Sequence, residues 1–283
     1  MNVFEISDEN LDEFTEFLGE DLTDDMNRLF YRGYGTSDDD GNINGAMVYE
    51  VCGLDDDDQD TLSRVLFFRA DTEEAREKLD RIYREEGVED EEIVESFYEF
   101  EDEAMADNCE KEGYSKGTKE SETVRIRLAD ALKLDFVNKI KKMPEYIVKL
   151  EELSVTEYRS GVKNCVFNGQ NGILEDLSDL SMSWFDTEIS SCTITDEEVN
   201  GFFFVRTTPS GIIMPVLLYA YGPDYVKNLA LMIANSIREA EKRYPPETEI
   251  VIRRRKRASA ALVKKLMPSL KGVPAFFGER VEN

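Results

Sequence analysis

The sequence has no histidine, four cysteines and a single tryptophan among 283 residues. Without histidine there is no Ser-His-Asp or Cys-His catalysis, no HExxH zinc site and no histidine proton shuttle. Cys52, Cys109, Cys165 and Cys192 lie far apart and form no CxxC, so they suggest neither a disulfide framework nor a zinc site and read as buried, reduced thiols. Long apolar runs are missing too. The longest, around Ile212 to Tyr221, falls well short of the roughly 18 residues a membrane span needs. The opening "MNVFEISDEN" has no basic n-region and no apolar h-region, so no signal peptide is expected. These absences point to a cytoplasmic protein with no membrane partner.

Basic residues are also scarce, at 34 Lys and Arg against 61 Asp and Glu, for a formal net charge of -27. The deficit is uneven. Residues 1–120 hold 39 acidic and 11 basic residues, whereas residues 121–283 hold 22 and 23. So acidic an N-terminal half repels nucleic acid and anionic membrane, and no nucleic-acid partner is expected. It reads as a strongly solvated surface. What is present is an ordinary globular composition, 41% apolar and 34% charged, in a chain long enough for two domains with their own cores.

The acidic runs "SDDDGN" and "LDDDDQD" raise the question of a metal, but the calcium-loop spacing fails. With Gly41 at the sixth place, the first is Thr36 and the twelfth Met47. Solvated turns are expected, and no metal site. The one basic cluster, "RRRKR" (253–257), ends a strand, so alternation sends its side chains to opposite faces. It could meet phosphate or dock the acidic first half.

An internal repeat organises the chain. "INGAMVYEVCG" (43–53) resembles "VNGFFFVRTTPSG" (199–211), and each precedes an apolar strand, a short break and an amphipathic helix. Helical spacing puts Ala75, Leu79, Ile82 and Tyr83 on one face, as it does Val226, Leu229, Met232, Ile233 and Ile237. Each half then runs strand, short helix and closing strand: 91–100, 103–115 and 122–130 in the first, 248–257, 258–269 and 273–282 in the second. The first half opens with a strand at 3–6, a helix started by Ser7 or Asp8, and "RLFYRGYG" turning through Asp40-Gly41 into Ile43. The second opens with a helix near 150–166 and a strand near 189–195, after a lysine-rich connector at 131–149. The expected fold is α/β, or α+β mixed sheet in stricter usage: two copies of one unit, 1–130 and 131–283, packed on one another.

This order of elements resembles that of the GNAT-type N-acetyltransferases, in both halves. In that family the helix after the fifth strand often ends Leu-Tyr-x-x-x-Gly-Phe, and "DNCEKEGYS" is similar in frame. The resemblance implies acetyl-CoA as cofactor, held where two parallel strands part. Its pantetheine pairs with the fourth strand and its pyrophosphate rests on the loop and helix that follow. A helix N-terminus suits this, because its first N–H groups are unpaired and carry about half a positive charge. In the first half that loop reads "RADTEEARE", where Asp71 and Glu74 make a capping box that opposes pyrophosphate. In the second half it reads "YGPDYVK". There the resemblance assigns cofactor binding to Leu217, Leu218, Ala220, Gly222, Asp224, Tyr225 and Lys227. The family's usual tyrosine acid is replaced by Cys109 and Val263. Tyr219 or Tyr221 could supply the proton instead, with Glu188 or Asp186 as base and an amine, small-molecule or peptide, held near Trp184 and Phe185. Two readings stand: an acyl-CoA-dependent N-acyltransferase, or a non-catalytic binding or regulatory protein on the same fold.

Overall fold

The computed structural model describes residues 1–28, 31–53, 61–168, 181–254 and 257–282. The chain divides into two compact units, Met1–Ser121 with Val273–Asn283, and Glu122–Gly272.

In the first unit β1 (Asn2–Glu5) pairs antiparallel with β2 (Tyr31–Ser37), and β2, β3 (Ile43–Gly53) and β4 (Thr61–Ala70) form an antiparallel meander. Helix α1 (Glu20–Arg28) precedes β2, and α2 (Glu73–Ile82) leads from β4 to β5 (Ile93–Phe100), which runs parallel to β4. After α3 (Glu103–Lys111) comes β6 (Gly117–Arg127), which straddles the division between the units. The alternation of β3 explains the layering. Ala46 and Val48 face Phe14 and Leu18, while Met47 and Tyr49 face Leu79, Tyr83, Ala106 and Cys109 of the α2–α3 layer.

The second unit repeats the plan. β7 (Ile147–Lys149), β8 (Ser191–Thr195), β9 (Glu198–Thr207) and β10 (Ile213–Ala220) are successively antiparallel. Helix α4 (Val155–Phe167) precedes β8, and α5 (Tyr225–Glu241) joins β10 to the parallel β11 (Glu249–Arg253). Along β9, Phe202 and Phe204 face α4, while Phe203 and Val205 face α5. The two halves thus bury the same alternate positions after the same Asn-Gly, as the sequence comparison implied. The connector at 131–149 is not featureless, since it holds a short helix, Asp135–Lys139, and the edge strand β7.

The closing strands differ from the sequence expectation of a single cut near residue 130. After α6 (Arg257–Leu266), β12 (Gly272–Val281) joins the first unit, antiparallel to β5 from Phe276↔Phe100 to Val281↔Glu95. The end of β6 joins the second, antiparallel to β11. Burial accounts for the first exchange: Arg280 of β12 donates to Asp80 of α2 at 2.6 Å, and both side chains are buried. "LDDDDQD" and Arg255 and Lys256 of the basic run lie outside the described residues. In the other acidic run, Asp38 Oδ1 accepts from the amides of Asp40 and Asn42, which closes the hairpin turn.

Candidate functional site

Two parallel strand pairs part, one in each unit. β4 and β5 pair from Thr61↔Ile93, through a register shift between Thr61 and Leu62, to Val65↔Tyr98 and then separate. Among the described residues β10 pairs with β11 only at Ile213↔Ile250, so most of β10 has no strand partner on that side, and Val216 is exposed. A bulge between Pro215 and Leu217 interrupts its register with β9.

The helices beyond these strands begin differently. At α2 the Thr72 hydroxyl accepts from the Ala75 amide at 3.1 Å, so Thr72, not Asp71, is the cap. At α5 the N-cap is Asp224, and its side chain makes no capping hydrogen bond. The first-turn amides of α5 therefore lack the side-chain acceptor that α2 has. Gly222 takes a φ of +94°, a conformation that suits glycine, and residues 222–227 are all exposed. One turn in, Asn228 is 2% exposed and its Oδ1 has no hydrogen-bond partner.

The structure brings together most of the residues singled out from the second half. Leu218 and Ala220 pack on the α5 side of β10; Leu217, Tyr219 and Tyr221 pack on the α4 side. The Tyr219 hydroxyl donates to the Asn168 carbonyl at 2.8 Å, and burial raises the pKa of both tyrosines. Glu188 is not with them. It pairs with Arg243 just beyond the C-terminus of α5. Asp186 accepts from Thr207 and Tyr244, and Thr207 faces Ile213 at the start of β10. From there to Ala220 is seven strand residues, about 23 Å. Phe185 is buried and stacked on Phe204 at 4.3 Å, and Trp184 packs against the same cluster, so both serve an aromatic core. Cys109 and Val263 are buried as well, and burial pushes the Cys109 thiol well up.

The parting strands, the meander and the paired helices have known counterparts. A tandem GNAT protein from the clavulanic acid biosynthesis pathway, solved without AcCoA, superposes with a TM-score of 0.64 at 10% identity, covering 100% of this chain and 99% of that one. The chain is a tandem GNAT-fold protein. A GCN5-related N-acetyltransferase from Sphaerobacter thermophilus matches with a TM-score of 0.53 at 10% identity, over 99% of this chain and 96% of that one. Another, from Anabaena variabilis ATCC 29413, gives 0.50 at 13%, over 100% and 73%. No protein-family profile and no curated protein sequence matches the chain. At these identities the likeness concerns the fold alone.

The family resemblance of the sequence implies acyl-CoA, and the two units differ in how well their residues suit it. In the first, Asn108 donates to the Phe68 carbonyl of β4 at 3.2 Å, filling from within the chain a position an extra strand would use. Thr72 consumes a helix amide, and Asp71, Glu73, Arg76 and Lys111 line the open depression of about 630 Å³ beside it. The filled cap makes this unit the poorer fit. The second fits it better: α5 opens without a side-chain cap, and among the described residues most of β10 has no strand partner on the β11 side. Sequence reasoning missed Asn228, since burial is what makes its amide notable.

Proposed function

We propose that the protein is an acyl-CoA-dependent N-acyltransferase that works from its second unit and transfers an acyl group to an amine, small-molecule or peptide. The observation that carries this is the start of α5, uncapped by Asp224, directly after a strand that leaves its parallel neighbour at Ile213. The amides of Val226 and Lys227 would receive the pyrophosphate, with the Lys227 ammonium offsetting the Asp224 carboxylate. The β11 side of β10, Leu217 to Ala220, would take the pantetheine arm, and the exposed Val216 offers it apolar surface. Acyl-CoA supplies an activated thioester to such a site.

The remaining work falls to this chain's own groups. Tyr219 and Tyr221 are protonated at neutral pH, and burial raises both further, so either can hold the proton a departing thiolate needs. Glu188, bound to Arg243, takes no part in this reading.

Calorimetric titration with acetyl-CoA tests the proposal. The native protein should bind at micromolar concentration, and Lys227→Gln should weaken binding by roughly fivefold, since a charge in the first helical turn contributes about 1 kcal/mol. Absence of heat at millimolar acetyl-CoA from a folded protein would refute it. Binding would justify a screen of amines for thiol release.

A further inference from the structure

We infer that Asn200 is a positioning residue for the acyl-CoA loop, the end of a Thr–Asn–Gly latch that ties the end of β10 to β8 and β9. The inference rests on the reading of the second unit given above. The Asn200 carbonyl accepts the Tyr221 amide at 3.0 Å, so the last bond before Gly222 is made to this residue. Its side-chain oxygen accepts from the Thr193 hydroxyl at 2.6 Å, and its side-chain nitrogen donates to the Thr195 hydroxyl. A Cβ placed on Gly222 would lie 4.0 Å from that same nitrogen. Asn200 therefore holds the loop by its backbone, while two hydroxyls of β8 hold Asn200.

The same device recurs in the first unit. The Thr36 hydroxyl donates to Asn44 Oδ1 at 2.8 Å, and the Asn44 carbonyl accepts the Asp71 amide at 2.8 Å. A Cβ on Gly45 would lie 2.6 Å from Thr36 Oγ1, and one on Gly201 would lie 2.6 Å from Thr193 Oγ1. Only the absence of a side chain there lets the threonine reach the asparagine. What differs is the loop that each latch holds. In the first unit it leads to a helix whose cap is filled by Thr72; in the second it leads to open amides. One geometry thus does structural work in the first unit and sets ligand-binding amides in the second.

The duplication supplies the control. Asn200→Ala and Asn44→Ala make the same lesion in the two units. Both should lower Tm by similar amounts, but only Asn200→Ala should weaken acetyl-CoA binding in calorimetry, by roughly tenfold, because misplaced binding groups lose affinity steeply. If Asn200→Ala does not fold, Thr193→Val against Thr36→Val repeats the comparison with shape retained. Equal weakening by both members of a pair, or none by the second-unit variant, would overturn the inference and leave the acyl-CoA reading standing. No binding by the native protein would overturn both.

Discussion

The Thr193 hydroxyl meets the Asn200 side-chain oxygen at 2.6 Å over the bare backbone of Gly201. A methyl group at position 201 would fall 2.6 Å from Thr193 Oγ1, 2.9 Å from Ala220 Cβ and 3.1 Å from the Tyr219 carbonyl. Two of these neighbours are fixed by strand pairing and cannot yield. Gly201→Ala should therefore destabilise the protein by about 3 kcal/mol, as overpacking does. Gly211→Ala is the contrast: its φ of +85° is strained for alanine but nothing lies within 4 Å, so about 1 kcal/mol is expected. Urea denaturation of both variants checks the order. Equal losses would mean that the neighbours of position 201 yield to the added methyl group.

Arg280 and Asp80 are two hundred positions apart in the chain and buried together. The guanidinium also donates to the Glu112 carbonyl at 2.9 Å and to Glu282 at 2.9 Å, and lies 4.2 Å from the Tyr114 ring centre. Removing one partner strands a charge without water. Arg280→Met alone should cost about 3 kcal/mol, and the pair Arg280→Met with Glu282→Leu should recover part of it, because Glu282 is the buried carboxylate left unpaired while Asp80 keeps Arg84. Denaturation of the single and double variants measures this. A double variant as unstable as the sum of its singles would mean that the two residues act independently.

The element order was legible because it is written in local patterns: strands of alternating or continuous apolar residues, amphipathic helices, and a repeated Asn-Gly. The exchange of closing strands was not, since nothing local in "VPAFFGERVE" says which neighbour it joins; the Arg280–Asp80 pair records that choice only in three dimensions. At the site, the strand and loop residues from Leu217 to Lys227 could be named from sequence because they are consecutive. Glu188 could not be placed, because its position depends on how the turn at 186–190 docks beside Val205 and Arg243. Thr72 displaced Asp71 as a cap by a single residue of register. Asn228 and the threonines of the two latches carry no local signature, as serine, threonine and asparagine usually mark turns.

Three of the four thiols should be silent toward an aromatic disulfide reagent in the folded protein. Cys109, Cys165 and Cys192 are buried, and burial holds each well above the ordinary thiol range, so neither access nor thiolate is available. Cys52 on β3 is only partly buried. Thiol titration should find one prompt reaction in native buffer and four in denaturant. Prompt reaction of two or more thiols in the native protein would contradict this burial.

Alkaline pH should unfold the protein through the same groups. Burial pushes the Cys165 thiol up to about 12, and the Tyr83 and Tyr158 hydroxyls to about 12. In the unfolded chain these groups ionise at their ordinary values, near 9 for the thiol and 10 for the hydroxyls. Below those values both states hold the protons and stability does not depend on these groups. As pH rises toward about 12 the unfolded chain gives up protons that the folded one must keep, so the stability they contribute is progressively lost. Cys165→Ala removes one such group and should flatten the decline of unfolding free energy, beginning near pH 9. Urea midpoints measured at intervals from neutral to alkaline pH give the slopes, and an unchanged slope in the variant would exclude Cys165 as a contributor.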